Sequence, residues 1–319
     1  MFVKILLFLL FLLIIYILLV LVRGIFIKVE QTSKTSTKRL YDKLNTLSEK
    51  HNYVNKLNNI SLLWINLERS ETRKNDMETQ MKKYNITNHK RVEACDGKKL
   101  DSVVGRGNLC GLEFYNERKM KKAELGCTLS HLKCIIEAEN RGDEYTIICE
   151  DDIDMVSMGF WDFTMKDVIN ELPHDWTVLQ LSNVSHPNIL LKDMFGLKYT
   201  NHPQKVSIEN NHKWGAAAYI LNEKGRRNIL EKVMKNGVVT IDDSTPYIST
   251  RKNIGIADDI IYACNKEGFY STSIPLFLIK YNNVSNIQDI KNTWNNYSIY
   301  NYADIIYKSV KKYGNIVLK

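Results

Sequence analysis

Proline is scarce, at five in 319 residues. No Pro/Gly-rich run interrupts the chain, which argues against flexible linkers between domains. The six cysteines, at 95, 110, 127, 134, 149 and 264, include no C-x-x-C pair, which argues against a zinc ribbon or a thioredoxin-like centre. Their even count does not fix the redox compartment. A phosphate-cradling Gly-rich loop is missing, which disfavours a P-loop phosphotransferase. Zinc-finger, RNP and helix-turn-helix signatures are missing too. The net charge of +8 is mild for this length. It fits an anionic substrate or a membrane surface and no nucleic-acid partner.

What is present is a folding composition, 44% hydrophobic and 10% aromatic, behind a long apolar run. Ile5 to Val22 reads "ILLFLLFLLIIYILLVLV", long enough to cross a bilayer as a helix. With no small-residue cleavage site after it, the run reads as an uncleaved single-pass anchor spanning 1–22. Cations follow it at Arg23, Lys28, Lys34, Lys38 and Arg39. The positive-inside rule would keep the bulk of the chain cytoplasmic. Five N-x-S/T sequons, at Asn59, Asn85, Asn183, Asn283 and Asn296, point weakly to a lumen. The side of the membrane therefore stays open.

Residues 23–59 read as a polar stalk. Leu40, Leu44, Leu47, Val54 and Leu57 recur at three, four and seven, a short amphipathic helix. It has three readings: a dimerising stalk, a helix packed on its own globular domain, or a loose spacer. From 60 to 285 apolar runs of strand length alternate with helical stripes, as in "ISLLWINL", "YTIIC", "WTVLQLS" and "AAAYIL". That alternation predicts an α/β domain with a mainly parallel sheet. Residues 286–319 form a C-terminal extension. The clearest helix is 124–142, "ELGCTLSHLKCIIEAENRG", with Gly142 placed to terminate it. Residues 98–123 and 183–213 have no readable period.

The densest chemistry is "YTIICEDDIDM", 145–155, where Glu150, Asp151, Asp152 and Asp154 follow a strand-like run. Like charges this close resist ionising together. Alternation puts Glu150 and Asp152 on one face, and Asp152 and Asp154 too if the strand continues. Ligands of open α/β sheets gather beyond the carboxyl ends of strands. A carboxylate pair there, with no Cys or His adjacent in sequence, suits Mn²⁺ or Mg²⁺. A solvated acidic loop is the competing reading.

Four motifs in order, "INLERSETR", "RVEACDG", "ELGCTLSH" and "CEDD", resemble those of glycosyltransferase family 25, the lipooligosaccharide and collagen galactosyltransferases. The resemblance covers about 60–280. It implies a GT-A-like nucleotide-sugar-binding fold, a UDP-sugar donor with galactose as first candidate, Mn²⁺ (or Mg²⁺) dependence and retention of anomeric configuration. Carried onto this chain, it makes Glu150 and Asp152 metal ligands. Asn66, Arg69, Asp96, Gly97, Ser130, Glu150 and Asp151 then bind the donor, with Arg73 an alternative to Arg69 at the diphosphate. Trp214 and Gly215, in "WGAAAYIL", become a donor or acceptor wall. Asp258, in "IADDIIY", and His131 become the candidate catalytic groups. Each has a plainer reading: Asp96-Gly97 as a turn, His131 as a satisfied core group, Asp258 as a helix-start acid.

The expected protein is thus a membrane-anchored hexosyltransferase acting on a glycan or protein hydroxyl, with a homodimer through the stalk as one arrangement. The alternative is a membrane-tethered, non-catalytic glycan-binding or scaffold protein.

Overall fold

The structure, a computed structural model, describes residues 36–49, 54–185, 203–206, 213–248, 256–272, 274–280, 293–314 and 316. The apolar run Ile5–Val22 lies outside the described residues. Among those described, no helix is long and apolar enough to cross a membrane.

Seven strands make the main sheet: β1 (Ser61–Asn66), β2 (His89–Glu93), β5 (Tyr145–Glu150), β7 (Val178–Ser185), β8 (Gln204–Lys205), β9 (Lys213–Asn222) and β12 (Phe269–Ser271). Their order is β2-β1-β5-β9-β7-β12-β8. β1 pairs parallel with β2 and β5, and β12 parallel with β7, whereas β9 runs antiparallel to both its neighbours and β8 antiparallel to β12. The sheet is therefore mostly parallel in strand direction, with β9 reversed inside it, as in a Rossmann-like mixed α/β domain. Its central strands are apolar on both faces, as a sheet covered on both sides requires. Alternation assigns the faces: Leu62, Trp64, Ile147 and Cys149 enter one core, and Leu63, Ile65 and Ile148 the other.

Helix α3 (Lys122–Arg141) covers the second face with α5 (Glu223–Val233) and α6 (Ala257–Ala263). α3 ends where the sequence predicts, at Gly142 with φ 66°. Helix α2 (Glu71–Lys83) covers the first face through Met77 and Met81, with the short helix α4 (Met165–Asn170) through Met165 and Val168. That same core receives two segments from outside the strand–helix alternation. Helix α1 (residues 36–48) buries Leu40, Tyr41 and Leu44, and helix α7 (Thr293–Tyr313) buries Tyr302 and Ile306. Of the three readings of the 40–57 stripe, packing on the chain's own domain is the one observed. Val54 is exposed.

The patternless stretch 98–123 contains a hairpin, β3 (Gly105–Leu109) and β4 (Leu112–Asn116). It joins β10 (Met234–Lys235) and β11 (Val238–Ile241) in a second sheet ordered β10-β11-β4-β3. Arg118 is buried, donating to the Asp242 and Thr245 carbonyls at 2.9 and 2.5 Å. Cys95 and Cys110 are disulfide-bonded, tying this hairpin to the segment after β2.

β5 stops at Glu150. Residues 151 and 152 turn, and a short strand β6 (Ile153–Asp154) pairs antiparallel with β13 (Leu278–Ile279). The expectation that Asp152 and Asp154 share a strand face is thereby corrected. Asp154 Oδ1 accepts from the Val156 N–H at 2.9 Å and serves as a local turn cap.

Candidate active site

β2, β1 and β5 are adjacent and parallel, so their carboxyl ends open onto one place. A cavity of about 240 Å³ lies there. The segment 94–98 after β2, the start of α2, the first turns of α3 and the acid turn after β5 form its walls. Arg69, Asp96, Gly97, Ser130, His131 and the three acids Glu150, Asp151 and Asp152 all line it. Residues scattered over more than eighty positions therefore meet because parallel strands end together.

The three acids differ in what holds them. Asp151 is buried and fully engaged. Its Oδ2 accepts from Asn66 Nδ2 at 2.6 Å and its Oδ1 from Arg73 Nη1 at 2.9 Å. Burial raises its carboxyl above the usual range, against the pull of Asn66 and Arg73. Asp152 is different. Its Oδ1 is shut off from solvent and has no hydrogen-bond partner among the described residues. Burial, and then the Glu150 charge, push its carboxyl up to about 7. Its main chain is braced from behind, since the Lys280 N–H donates to the Asp152 carbonyl at 2.8 Å. Glu150, half-buried, lies 3.4 Å from His131 Nε2. Two carboxylates with unmet demand for a positive partner thus face the cavity, and the third is neutralised from within. A divalent ion fits this donor set, because it would supply the charge that burial and mutual repulsion withhold.

Asn66 does not reach the cavity. It is buried, with Nδ2 on Asp151 and the Ser70 carbonyl, and Oδ1 accepting from Arg91 Nε at 2.9 Å. It acts on the site by orienting Asp151. Ser130 likewise spends its hydroxyl internally, donating to the Gly126 carbonyl at 2.7 Å and accepting from the Cys95 N–H at 2.8 Å. The reason is close packing of α3 on the segment after β2. A Cβ at Gly126 would lie 2.5 Å from the Cys95 carbonyl oxygen and 2.7 Å from the Gly97 nitrogen. Asp96 caps the turn at Gly97–Lys99 by accepting from the Lys98 N–H at 3.0 Å, and it also pairs with Arg69. Glu124 of the same sequence motif is a helix-start group, accepting from the Lys121 N–H at 2.7 Å.

His131 is 1% exposed, with Nδ1 on the Tyr219 hydroxyl at 3.1 Å and Nε2 facing Glu150. Asp258 is buried at the start of α6 and does not line the cavity; its Oδ2 accepts from the Gly215 N–H at 3.2 Å. Gly215, at φ 98°, occupies a conformation that favours glycine, and its carbonyl accepts from Tyr262 Oη and Gln180 Nε2, each at 2.9 Å. The backbone of Trp214 pairs with Val184, and its side chain lies outside the described residues. The sequence reading put Arg69 ahead of Arg73; both line the cavity, and Arg73 is the one bonded to the acid turn. Lys98, Lys122 and Cys127 also line it without having been singled out as site residues. Cys127 carried a signal, its i,i+4 spacing from His131. Lys122 carried only its place in the basic run 118–122, which also suits a solvated surface, and Lys98 carried none in so lysine-rich a chain.

The family model for glycosyltransferase family 25 (LPS biosynthesis protein) matches residues 59–245. This chain belongs to glycosyltransferase family 25. The match contains the whole cavity-lining set. A Bos taurus relative described as "Probable inactive glycosyltransferase 25 family member 3" is 26% identical over 199 residues, which is 57% of this chain. The alignment takes in 30% of that relative's length.

Proposed function

We propose that this family member is an active hexosyltransferase that moves a sugar, galactose first among candidates, from a UDP-sugar to a glycan or protein hydroxyl in a GT-A-like domain. The observation that carries the reading is the unpartnered Asp152 Oδ1 beside Glu150 at the carboxyl end of a parallel strand. Mn²⁺ or Mg²⁺ held by Glu150 and Asp152 would supply Lewis-acid stabilisation of the departing diphosphate. Arg69, Lys98 and Lys122 offer cations around the same cavity, and guanidinium suits phosphate oxygens. Asp151, fixed by Arg73 and Asn66, keeps the acid turn in place. His131 is better suited to orienting Glu150 than to moving protons, because both its ring nitrogens are engaged and it is shut from solvent. Asp258, which does not line the cavity, would act only through the Gly215 backbone that it holds.

The apolar run Ile5–Val22 would anchor the protein. The Cys95–Cys110 disulfide supports a domain on the oxidising side of that membrane, against the flanking-charge rule. The second reading is a non-catalytic glycan-binding member; what supports its non-catalytic half is that the bovine relative is described as probably inactive.

Donor hydrolysis by the full-length protein, screened over UDP-, GDP- and CMP-sugars with Mn²⁺, Mg²⁺ or EDTA, separates the two. EDTA-sensitive loss of one UDP-sugar is expected, cut ~100-fold or more in Asp152→Asn, since a Lewis-acid contact is worth several kcal/mol. Glycan binding that ignores both metal and Asp152→Asn, with no turnover, would establish the non-catalytic reading.

A further inference from the structure

Cys127 and His131 stand four residues apart on α3, so their side chains share a helical face. Glu150 reaches the same point from the end of β5. One donor atom from each of the three lies within 4.8 Å of the others. This sulfur–nitrogen–oxygen set is chemically unlike the all-oxygen pair Glu150/Asp152; the hexosyltransferase reading, on which the inference rests, uses Glu150 and His131 but has no role for Cys127 or for the three as a set.

We propose that Cys127, His131 and Glu150 form a binding site for a borderline divalent ion, Zn²⁺ by preference, which shares Glu150 with the Mn²⁺ pair and therefore competes with it. Three observations carry this. First, His131 Nε2 and Glu150 Oε1 are 3.4 Å apart. Tetrahedral zinc with nitrogen and oxygen bonds of ~2.0–2.2 Å places such ligands about 3.4 Å from each other. Second, the other ring nitrogen of His131 is held by the Tyr219 hydroxyl at 3.1 Å. An outer partner of this kind fixes ring orientation and tautomer in zinc sites. Third, all three residues line the cavity, which leaves a fourth position open to water or ligand.

Thiolate and imidazole ligands favour Zn²⁺ over Mn²⁺, whereas a carboxylate pair favours the harder ion. On binding, the Cys127 thiol loses its proton to solvent and a sulfur–metal bond forms. Glu150 then swings its charge toward Cys127 and away from Asp152. Zn²⁺ should thus antagonise any Mn²⁺-dependent activity of this protein at low concentration.

Metal-free full-length protein with the Cys95–Cys110 disulfide intact and Cys127 a free thiol, titrated with Co²⁺ without nucleotide or sugar, tests the site. One equivalent should give a thiolate-to-cobalt charge-transfer band together with the visible bands of tetrahedral cobalt, and Zn²⁺ should bleach both. Cys127→Ser should abolish the charge-transfer band. Cys134→Ser, a buried cysteine on the same helix, should keep it. His131→Gln should weaken Co²⁺ binding tenfold or more, and gives a second route should Cys127→Ser fail to fold. Absence of the band in folded wild-type protein, or its persistence in Cys127→Ser, would overturn the proposal. Asp152→Asn separates the two readings. It should retain the cobalt band while losing Mn²⁺-dependent UDP binding, so either site can fail without the other.

Discussion

At the residue scale the acid turn works by unequal satisfaction. Glu150, Asp151 and Asp152 are consecutive, yet Asp151 alone is neutralised by protein groups. Removing Arg73 should leave Asp151 buried with only Asn66. The Arg73→Ala protein should lose about 3 kcal/mol of stability, the lower end of the cost of orphaning one member of a buried ion pair. Denaturant unfolding checks this, and an Arg73→Lys protein should recover only part of the loss because a single ammonium lacks the guanidinium fork. Much of this scale was legible. The run "EDD" after a strand-like stretch marks a wall of the cavity that Glu150, Asp151 and Asp152 line, but β5 stops at Glu150, so strand alternation does not reach Asp152. What the sequence could not show is which polar groups are consumed internally. Asn66 and Ser130 look like ligand-facing residues in one dimension. Only the parallel neighbour Arg91 and the close approach of α3 to Cys95 reveal that their atoms are already taken.

At the element scale the segments that read as peripheral are part of the core. Tyr41 of α1 donates to the Ile279 carbonyl at 2.8 Å. Ile279 lies on β13, which pairs with β6 directly after the acid turn, and the next residue, Lys280, holds the Asp152 main chain. α1 therefore braces the site from behind. Leu44→Ala, at a fully buried position, should destabilise the protein by about 3 kcal/mol. Truncation at residue 60 removes Leu40, Tyr41 and Leu44 from the core and should therefore destabilise the domain, as loss of a loose spacer would not. Thermal unfolding of full-length protein measures the first effect. The short β13 strand carried no periodic signal, which is why the connection was invisible in sequence.

The turn 242–245 offers a pH test at the same scale. Lys235 Nζ and the Ser244 hydroxyl donate to the Asp242 carboxylate at 2.5 and 2.6 Å. These bonds, the Lys235 one first, hold its pKa down to about 2 from 3.8. A folded-state pKa below the unfolded one contributes stability that is complete above pH 4 and lost as pH falls toward 2. The difference in melting temperature between wild type and Asp242→Asn should therefore shrink across that window. A constant difference would show that the carboxylate's charge is not what the turn uses.

At the scale of the whole molecule, the disulfide and the sequons both bear on the side of the membrane that the proposed anchor would give the domain. Asn59 and Asn85 are exposed. Asn183 is buried, and its Oδ1 accepts from the Tyr302 hydroxyl at 2.6 Å. Passage through a eukaryotic secretory pathway should give glycans at Asn59 and Asn85 and none at Asn183, since a glycan there would displace α7 from the core. Site-resolved mass spectrometry reads the outcome. A wholly unglycosylated, reduced protein would place the domain on the cytoplasmic side.

The central claim is that the cavity beyond β2, β1 and β5 binds a nucleotide diphosphate through a cation on Glu150 and Asp152. Calorimetric titration of UDP into the full-length protein, with Mn²⁺ and with EDTA, tests it most directly. Binding with Mn²⁺ that is lost in EDTA and lost again in Asp152→Asn is expected. Equal UDP binding in EDTA, or binding that survives Asp152→Asn unchanged, would contradict it.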